Sequence, residues 1–261
     1  MPHTSMLRLP TRSFGLALAF AIGATACGTK DAAAPLAPAG PQGRVRFVNV
    51  ISDPTRLPVN AILERVPFGV NLAYTATTPF SLAAPSTAPY AAVLAGSRTL
   101  VIKRTADTNV VVATMPFTID AGQDKSIYAV GGTAGSAVAS FITDDVNSTP
   151  TATQSRIRFV NVSPTAGAVD VFFTAAGADL ATATPTFTNI ANRAASAYGS
   201  LPNGTYTLRT VPAGTAPAAR AAAVNITLAG QVLPANSART FVAADNTTGG
   251  APLRAFVLTD R

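Results

Sequence analysis

Histidine, cysteine, glutamate and tryptophan are almost missing from this sequence of 261 residues. His3, Cys27 and Glu64 are the only members of their types, and tryptophan does not occur. Beyond residue 27 the chain therefore has no imidazole and no thiol. Ser-His-Asp and Cys-His nucleophile arrangements are excluded, and so are zinc sites built on His or Cys. General acid–base work falls to aspartate, lysine or tyrosine. The Cys…Trp…Cys signature of antibody domains is absent as well. Neither Gly-x-x-x-x-Gly-Lys nor Gly-x-Gly-x-x-Gly occurs, so no phosphate-cradling loop is expected. Gly131-Gly132 and Gly249-Gly250 read as hairpin turns instead.

Charge is scarce too: only 12% of residues are Asp, Glu, Lys or Arg. A chain this poor in Glu and Lys is a weak helix former. Its Thr, Val, Asn, Gly and Pro favour short strands and turns. The apolar fraction of 48% overstates the core, because much of it is alanine. The formal charge is +7, but the cations are spread along the chain with no Lys/Arg run. That describes a mildly basic surface and gives no reason to expect a nucleic-acid partner.

The N-terminus reads as an address. Arg8 and Arg12 precede a short apolar run, Ser13–Ile22, and Gly23-Ala-Thr-Ala26 supplies small residues before Cys27. Charged start, apolar middle and small-residue exit make a secretory signal over 1–26. Cys27, placed directly after Ala24-Thr25-Ala26, resembles the lipidated cysteine of a bacterial lipoprotein. Acyl chains there would contribute about 0.8 kcal/mol per buried methylene to membrane binding. Gly28, in place of an aspartate, favours the outer membrane or cell surface, with the protein facing periplasm or exterior. Residues 27–43, rich in Gly, Pro and Ala, read as a flexible tether. No later run approaches 18 apolar residues, so no other membrane span is expected.

The rest of the chain is organised by one repeated stretch. Arg44-Val-Arg-Phe-Val-Asn-Val50 returns 112 residues on as Arg156-Ile-Arg-Phe-Val-Asn-Val162, with Ile157 for Val45 as the one change. A period of that size indicates two copies of a domain, since solenoid units run to about 20–50 residues. Val45 and Phe47 alternate with Arg44 and Arg46, the pattern of a half-buried strand. Further strands are predicted at Val59–Leu63, 110–114, 117–119 and 126–130 in the first copy. In the second they fall at 168–173, 223–228 and 239–243. Pro202-Asn203-Gly204 has good turn chemistry, and Tyr90 and Tyr198 hold matching places. Each copy closes alike, with Ala139-Ser-Phe-Ile-Thr-Asp144 aligned on Ala255-Phe-Val-Leu-Thr-Asp260. The expected fold is all-β, with two tandem immunoglobulin-like antiparallel β-sandwich domains at 44–146 and 156–261. Residues 147–155 form the linker.

Arg156-Ile-Arg-Phe-Val-Asn-Val-Ser-Pro164, Val169-Asp-Val171, Tyr198 and Leu201-Pro-Asn-Gly-Thr-Tyr206 together resemble the domain of unknown function 4397. The resemblance covers nearly all of 44–261 and is strongest in the second copy. It implies exported, surface-attached proteins with tandem domains and no established chemistry. This chain has Asn49 and Asn161 where family members often carry histidine. The first copy also has Asn60 where the second has Asp170.

Candidate sites are few. Asp144-Asp145 reads as a solvated pair, since neighbours on a strand face opposite ways. With Asn147 it falls short of a spaced calcium loop, so no metal is expected. Tyr90 and Tyr198 read as core or corner residues. Arg44, Arg46, Arg156 and Arg158 are candidate contacts for an anionic polysaccharide or headgroup, or else charges on the wet face of an edge strand. The expectation is a non-enzymatic, lipid-anchored envelope protein without cofactor, its two modules binding or scaffolding an envelope protein or polysaccharide. The rival readings are a passive spacer and a carbohydrate-active or other hydrolase using only Asp and Tyr. The sequence leaves the oligomeric state open.

Overall fold

A computed structural model describes residues 40–79, 89–146 and 148–261. The expected signal segment, Cys27 and most of the tether lie outside the described residues. The first repeat holds β1 (Gln42–Ile51), β2 (Val59–Leu63), β3 (Val66–Leu72), β4 (Thr77–Thr78), β5 (Ala91–Leu94), β6 (Gly96–Arg104), β7 (Val111–Ile119), β8 (Asp124–Gly131) and β9 (Val138–Asp144). The second holds β10 (Gln154–Asn161), β11 (Val169–Thr174), β12 (Phe187–Ile190), β13 (Ala194–Ala195), β14 (Gly199–Pro202), β15 (Gly204–Pro212), β16 (Ile226–Leu233), β17 (Ala238–Ala244) and β18 (Arg254–Thr259). β10 opens two residues before the expected Arg156, so the connection is shorter than predicted.

Every pairing in the first repeat recurs nine strands later. One sheet runs β4-β1-β8-β9 with β5 also on β1, and its counterpart runs β13-β10-β17-β18 with β14 on β10. We call these the inner sheets. The outer sheets run β3-β2-β6-β7 and β12-β11-β15-β16. The all-β sandwich is present in both repeats, with one departure from pure antiparallel pairing. β1 runs parallel to β8, and β10 parallel to β17.

Side-chain alternation assigns the layers. Val45, Phe47 and Ile51 of β1, with Ile127 and Ala129 of β8, pack on Ala61, Leu100, Ile102 and Met115 of the outer sheet. Ile157, Phe159, Phe241 and Ala243 do the same against Val171, Phe173 and Leu208 in the second repeat. Intervening residues point the other way. Val48, Val50, Tyr128 and Val130 of one inner sheet meet Val160, Val162, Val242 and Ala244 of the other in a third core. The layers thus stack outer, inner, inner, outer, and both repeats belong to one compact unit. An inner sheet covered on both faces reads as a near-continuous apolar run. That is the composition of Phe47–Ile51 and Phe159–Val162 once their single Asn is set aside.

Asn49 and Asn161 fix how each inner sheet meets its outer one. The Asn49 amide donates to Leu72 O (3.1 Å) and Ala73 O (2.9 Å), and its oxygen accepts from Ile51 N. Asn161 donates to Ile190 O (3.0 Å) and Gly167 O (2.7 Å) and accepts from Ser163 N. Leu72 and Ile190 are matching ends of β3 and β12, so both copies use the same pin.

Candidate functional site

The densest group of ionisable side chains lies in the third core, between the repeats. Alternation that sends Val45 and Phe47 into the sandwich sends Arg46 to the opposite face, alongside Val48 and Val50. That face is covered by the other repeat, leaving Arg46 1% and Arg158 2% exposed. Both arginines therefore depart from the expected wet face. β1 and β10 are also interior strands of their sheets rather than edges.

The contacts cross between repeats. Arg46 Nη2 donates to Asp260 Oδ1 (2.5 Å) and Nη1 to Thr259 O (2.9 Å), both in the second repeat. Arg158 Nη2 donates to Asp145 Oδ1 (2.6 Å) and Nη1 to Asp144 O (3.1 Å), both from the first. Each guanidinium also donates from Nε within its own repeat, Arg46 to Ser126 Oγ (2.7 Å) and Arg158 to Thr240 Oγ1 (3.1 Å). Ser126 and Thr240 hold the same register opposite Arg46 and Arg158. The result is a reciprocal clasp with approximate two-fold symmetry.

Tyrosines close its outer side. The Tyr90 hydroxyl donates to Asp145 Oδ2 (2.7 Å), and Tyr198 donates to Asp260 Oδ2 (3.0 Å). Each ring also takes a guanidinium 4.7 Å from its centroid, Arg46 on Tyr90 and Arg158 on Tyr198. Asp145 accepts further from Ser126 and Thr143, and Asp260 from Thr240. Two cations and two carboxylates are thus enclosed with their hydrogen-bonding capacity largely filled, the condition under which buried ions are tolerated.

This environment moves the groups away from neutral titration. Burial would raise the Asp145 carboxyl, but Arg158 and Arg46, with the Ser126 and Tyr90 hydroxyls, hold it below its ordinary value. Burial would lower Arg46, yet Asp260, the adjacent phenols and Asp145 keep it above its ordinary value. Burial pushes the Tyr90 and Tyr198 hydroxyls up. A general acid at neutral pH needs a raised carboxyl, and Asp145 is shifted the other way.

Residues 43–172 match the family model of a domain of unknown function, DUF4397. The chain contains a DUF4397 domain. No curated protein matches the chain. The DUF4397 match spans the first repeat and β10 and stops within β11, well short of the 44–261 that the resemblance covered. Arg46, Tyr90, Asp145 and Arg158 of the clasp fall inside it, and Tyr198, Thr240 and Asp260 beyond it. The second repeat is tied to the first by strand order and register.

The four candidate arginines part company. Arg46 and Arg158 are buried in the clasp, with all three nitrogens of each guanidinium bonded to the protein. Arg44 remains half-exposed and pairs with Asp124 at 2.5 Å. Arg156 lies over Tyr198 at 4.8 Å and reaches Val146 O (3.3 Å) and Ser148 Oγ at the start of the connection. With Arg158, Tyr198, Phe141, Asp144 and Val146 it borders a cleft of about 480 Å³ along the seam.

The Asp144-Asp145 pair divides as well. Asp144 is exposed beside Lys125, whereas Asp145 is buried against Arg158, so the solvated reading holds for Asp144 alone. Register also corrects the predicted alignment of the closing strands. Phe141 pairs with Tyr128 as Phe256 pairs with Val242, which makes Asp145, not Asp144, the counterpart of Asp260. Asp145, Asp260, Ser126 and Thr240 were not predicted as partners of the arginines. The available signal was Val48 and Val50, which share the face of Arg46 and mark it as covered. Among the described residues no group of three or more His, Cys, Asp or Glu is placed to hold a metal ion.

Proposed function

We propose that the chain is a non-enzymatic envelope protein, anchored through lipid on Cys27, whose two repeats act as one stiff scaffolding or binding body. The observation that carries this reading is the enclosure of the ionised cluster at the seam. Arg46, Arg158, Asp145, Asp260 and Tyr90 face one another across the seam and are buried from solvent. Groups paired in this way hold the two sandwiches together. The hydrolase reading needs an aspartate with a raised pKa in a pocket, and the lowered Asp145 gives it no support.

Contact with an anionic envelope polysaccharide would fall to Arg44 and Arg156, the two members of the repeated motif still reachable from outside. A passive spacer is the second reading, favoured by the rigidity a shared core gives to the pair. Two measurements test these ideas. Metabolic labelling with a fatty-acid analogue should mark the wild-type chain and not Cys27→Ser; label on the variant would remove the anchor. Titration with acidic glycans should give saturable binding that weakens at least tenfold in Arg44→Ala/Arg156→Ala. No saturable signal from wild type would leave the spacer.

A further inference from the structure

The seam is built so that its halves need not come from one chain. Arg46 and Ser126 on one side face Asp260 and Thr259 on the other, while Arg158 and Thr240 face Asp145 and Asp144. The two halves are joined only by residues 146–153, which begin with the exposed Val146. From these features we infer that the seam is exchangeable, and that a second copy of this chain can complete it, repeat 1 of each copy clasping repeat 2 of the other. Such reciprocal exchange re-forms the buried contacts of the seam and alters only the path of the connection, a low-cost route to a closed dimer. What opposes it is the high effective concentration that the connection gives the intramolecular partner. This goes beyond the proposed function and holds whether the body binds a ligand or only spaces one.

One residue breaks the symmetry and dictates which repeats pair. Tyr128 and Val242 occupy the same register position on β8 and β17. Tyr128 is fully buried, lies within electrostatic reach of both arginines and both aspartates of the clasp, and its hydroxyl has no hydrogen-bond partner. It therefore sits near the approximate two-fold axis. Pairing repeat 1 with repeat 1 would bring two such phenols together, and pairing repeat 2 with repeat 2 would supply none. Only unlike repeats match one large side chain with one small one, so exchange is directed to repeat 1 with repeat 2.

Mixing two variants tests this in the full chain carrying Cys27→Ser. Arg46→Ala strands Asp260 in its own seam, and Asp260→Ala strands Arg46. In an exchanged heterodimer one seam regains the native Arg46–Asp260 pair, and the other lacks both members and so strands no charge. Each variant refolded alone from urea should run at monomer mass by light scattering. The two refolded together should yield a species of twice that mass, and a mixture that stays at monomer mass would overturn the proposal. Deleting Val146–Thr153 from the otherwise wild-type sequence is an independent test in case the point variants do not fold. Stacked sheets lie about 10 Å apart and adjacent residues only ~3.8 Å between Cα atoms, so a direct Asp145–Gln154 link strains the intramolecular seam and favours exchange. The deleted chain should form a discrete dimer; a monomer, or aggregate with no dimer, counts against exchange.

Discussion

The two repeats share strand order, register and both halves of the clasp, yet they differ where each finishes its own sandwich. In the second, Phe187 of β12 packs edge-on to Phe173, with ring centroids 6.4 Å apart, and against Gly199 of β14. The first has Gly69 in the same register opposite β2. There an apolar cleft of about 310 Å³ opens between β3 and β5, lined by Leu63, Phe68 and Val93. On the inner sheet Arg44 pairs with Asp124, whereas Ala238 stands opposite Arg156. The arrangement common to both copies is therefore the seam and the Asn pin, and the outer edges are free to vary. The contrast locates the constraint in the faces that the repeats present to each other.

The sharpest way to break the comparison is to remove one carboxylate of the clasp. Asp145→Ala would leave Arg158 buried without its partner and deprive Ser126, Thr143 and Tyr90 of an acceptor. Losing one member of a buried pair costs about 3–5 kcal/mol. The expected result is a large drop in the urea midpoint, with Asp260→Ala close behind. If the two differ severalfold, the seam is less symmetric than its contacts.

Acid should act through the same carboxylate. The Asp145 pKa is lower folded than unfolded, so its contribution is complete above the unfolded value of about 3.9 and disappears as pH falls through the folded value. Urea midpoints measured between pH 7 and pH 2 should fall below about pH 4. The slope should be shallower in Asp145→Asn, which has no proton to take up. An unchanged slope would mean that other carboxylates govern acid unfolding.

How much of this was legible before the fold was known depends on which side of a strand carried the signal. β1, β2, β9 and β11 were readable because apolar residues alternate or run together over five or more positions. β7 was predicted as two pieces because Pro116 interrupts it. Pro116 is tolerated because β7 is the edge of its sheet, where a missing N–H removes no ladder bond. The edge strands β3, β4, β5 and β12–β14 carry too little pattern to find. The clasp was hidden for another reason. Arg44 and Arg46 alternate with Val45 and Phe47 as solvent-facing charges would, and only Val48 and Val50 on the same face betray a covering layer. A buried cation is uncommon enough that its partner must be located before burial is the natural reading. Those partners lie 13 and 214 positions away in the chain, Asp145 from Arg158 and Asp260 from Arg46.

The Asn pins should respond alike in the two copies. Asn49→Ala and Asn161→Ala each remove the amide donor from one buried carbonyl, Leu72 O or Ile190 O, at about 1–3 kcal/mol. Near-equal losses in chemical unfolding would support one local architecture, and hydrogen exchange should rise first at the ends of β3 and β12. An effect confined to one repeat would show that the pin is redundant in the other.

The smallest expected effect concerns Asn60 and Asp170, which the sequence presents as a departure between the copies. Each performs the same task. Asn60 Oδ1 accepts from Asn71 N at 2.8 Å, and Asp170 Oδ1 accepts from Asn189 N at the same distance. Asn71 and Asn189 both have positive φ, 56° and 53°, a conformation that Asn tolerates better than most side chains. The acceptor thus holds a left-handed turn before β3 or β12 closes. Asp170 adds a bond from Gly214 N (3.1 Å), where Asn60 takes one from Thr105 Oγ1 (2.9 Å). Asp170→Asn keeps the acceptor for Asn189 N but not the one for Gly214 N, so it should lose about 1 kcal/mol, the net worth of one partly exposed hydrogen bond. Asn60→Asp should be neutral or slightly stabilising. Replacing either with Leu removes the acceptor and should destabilise more than the Asn/Asp exchange, and equal losses would show that the turn holds without it.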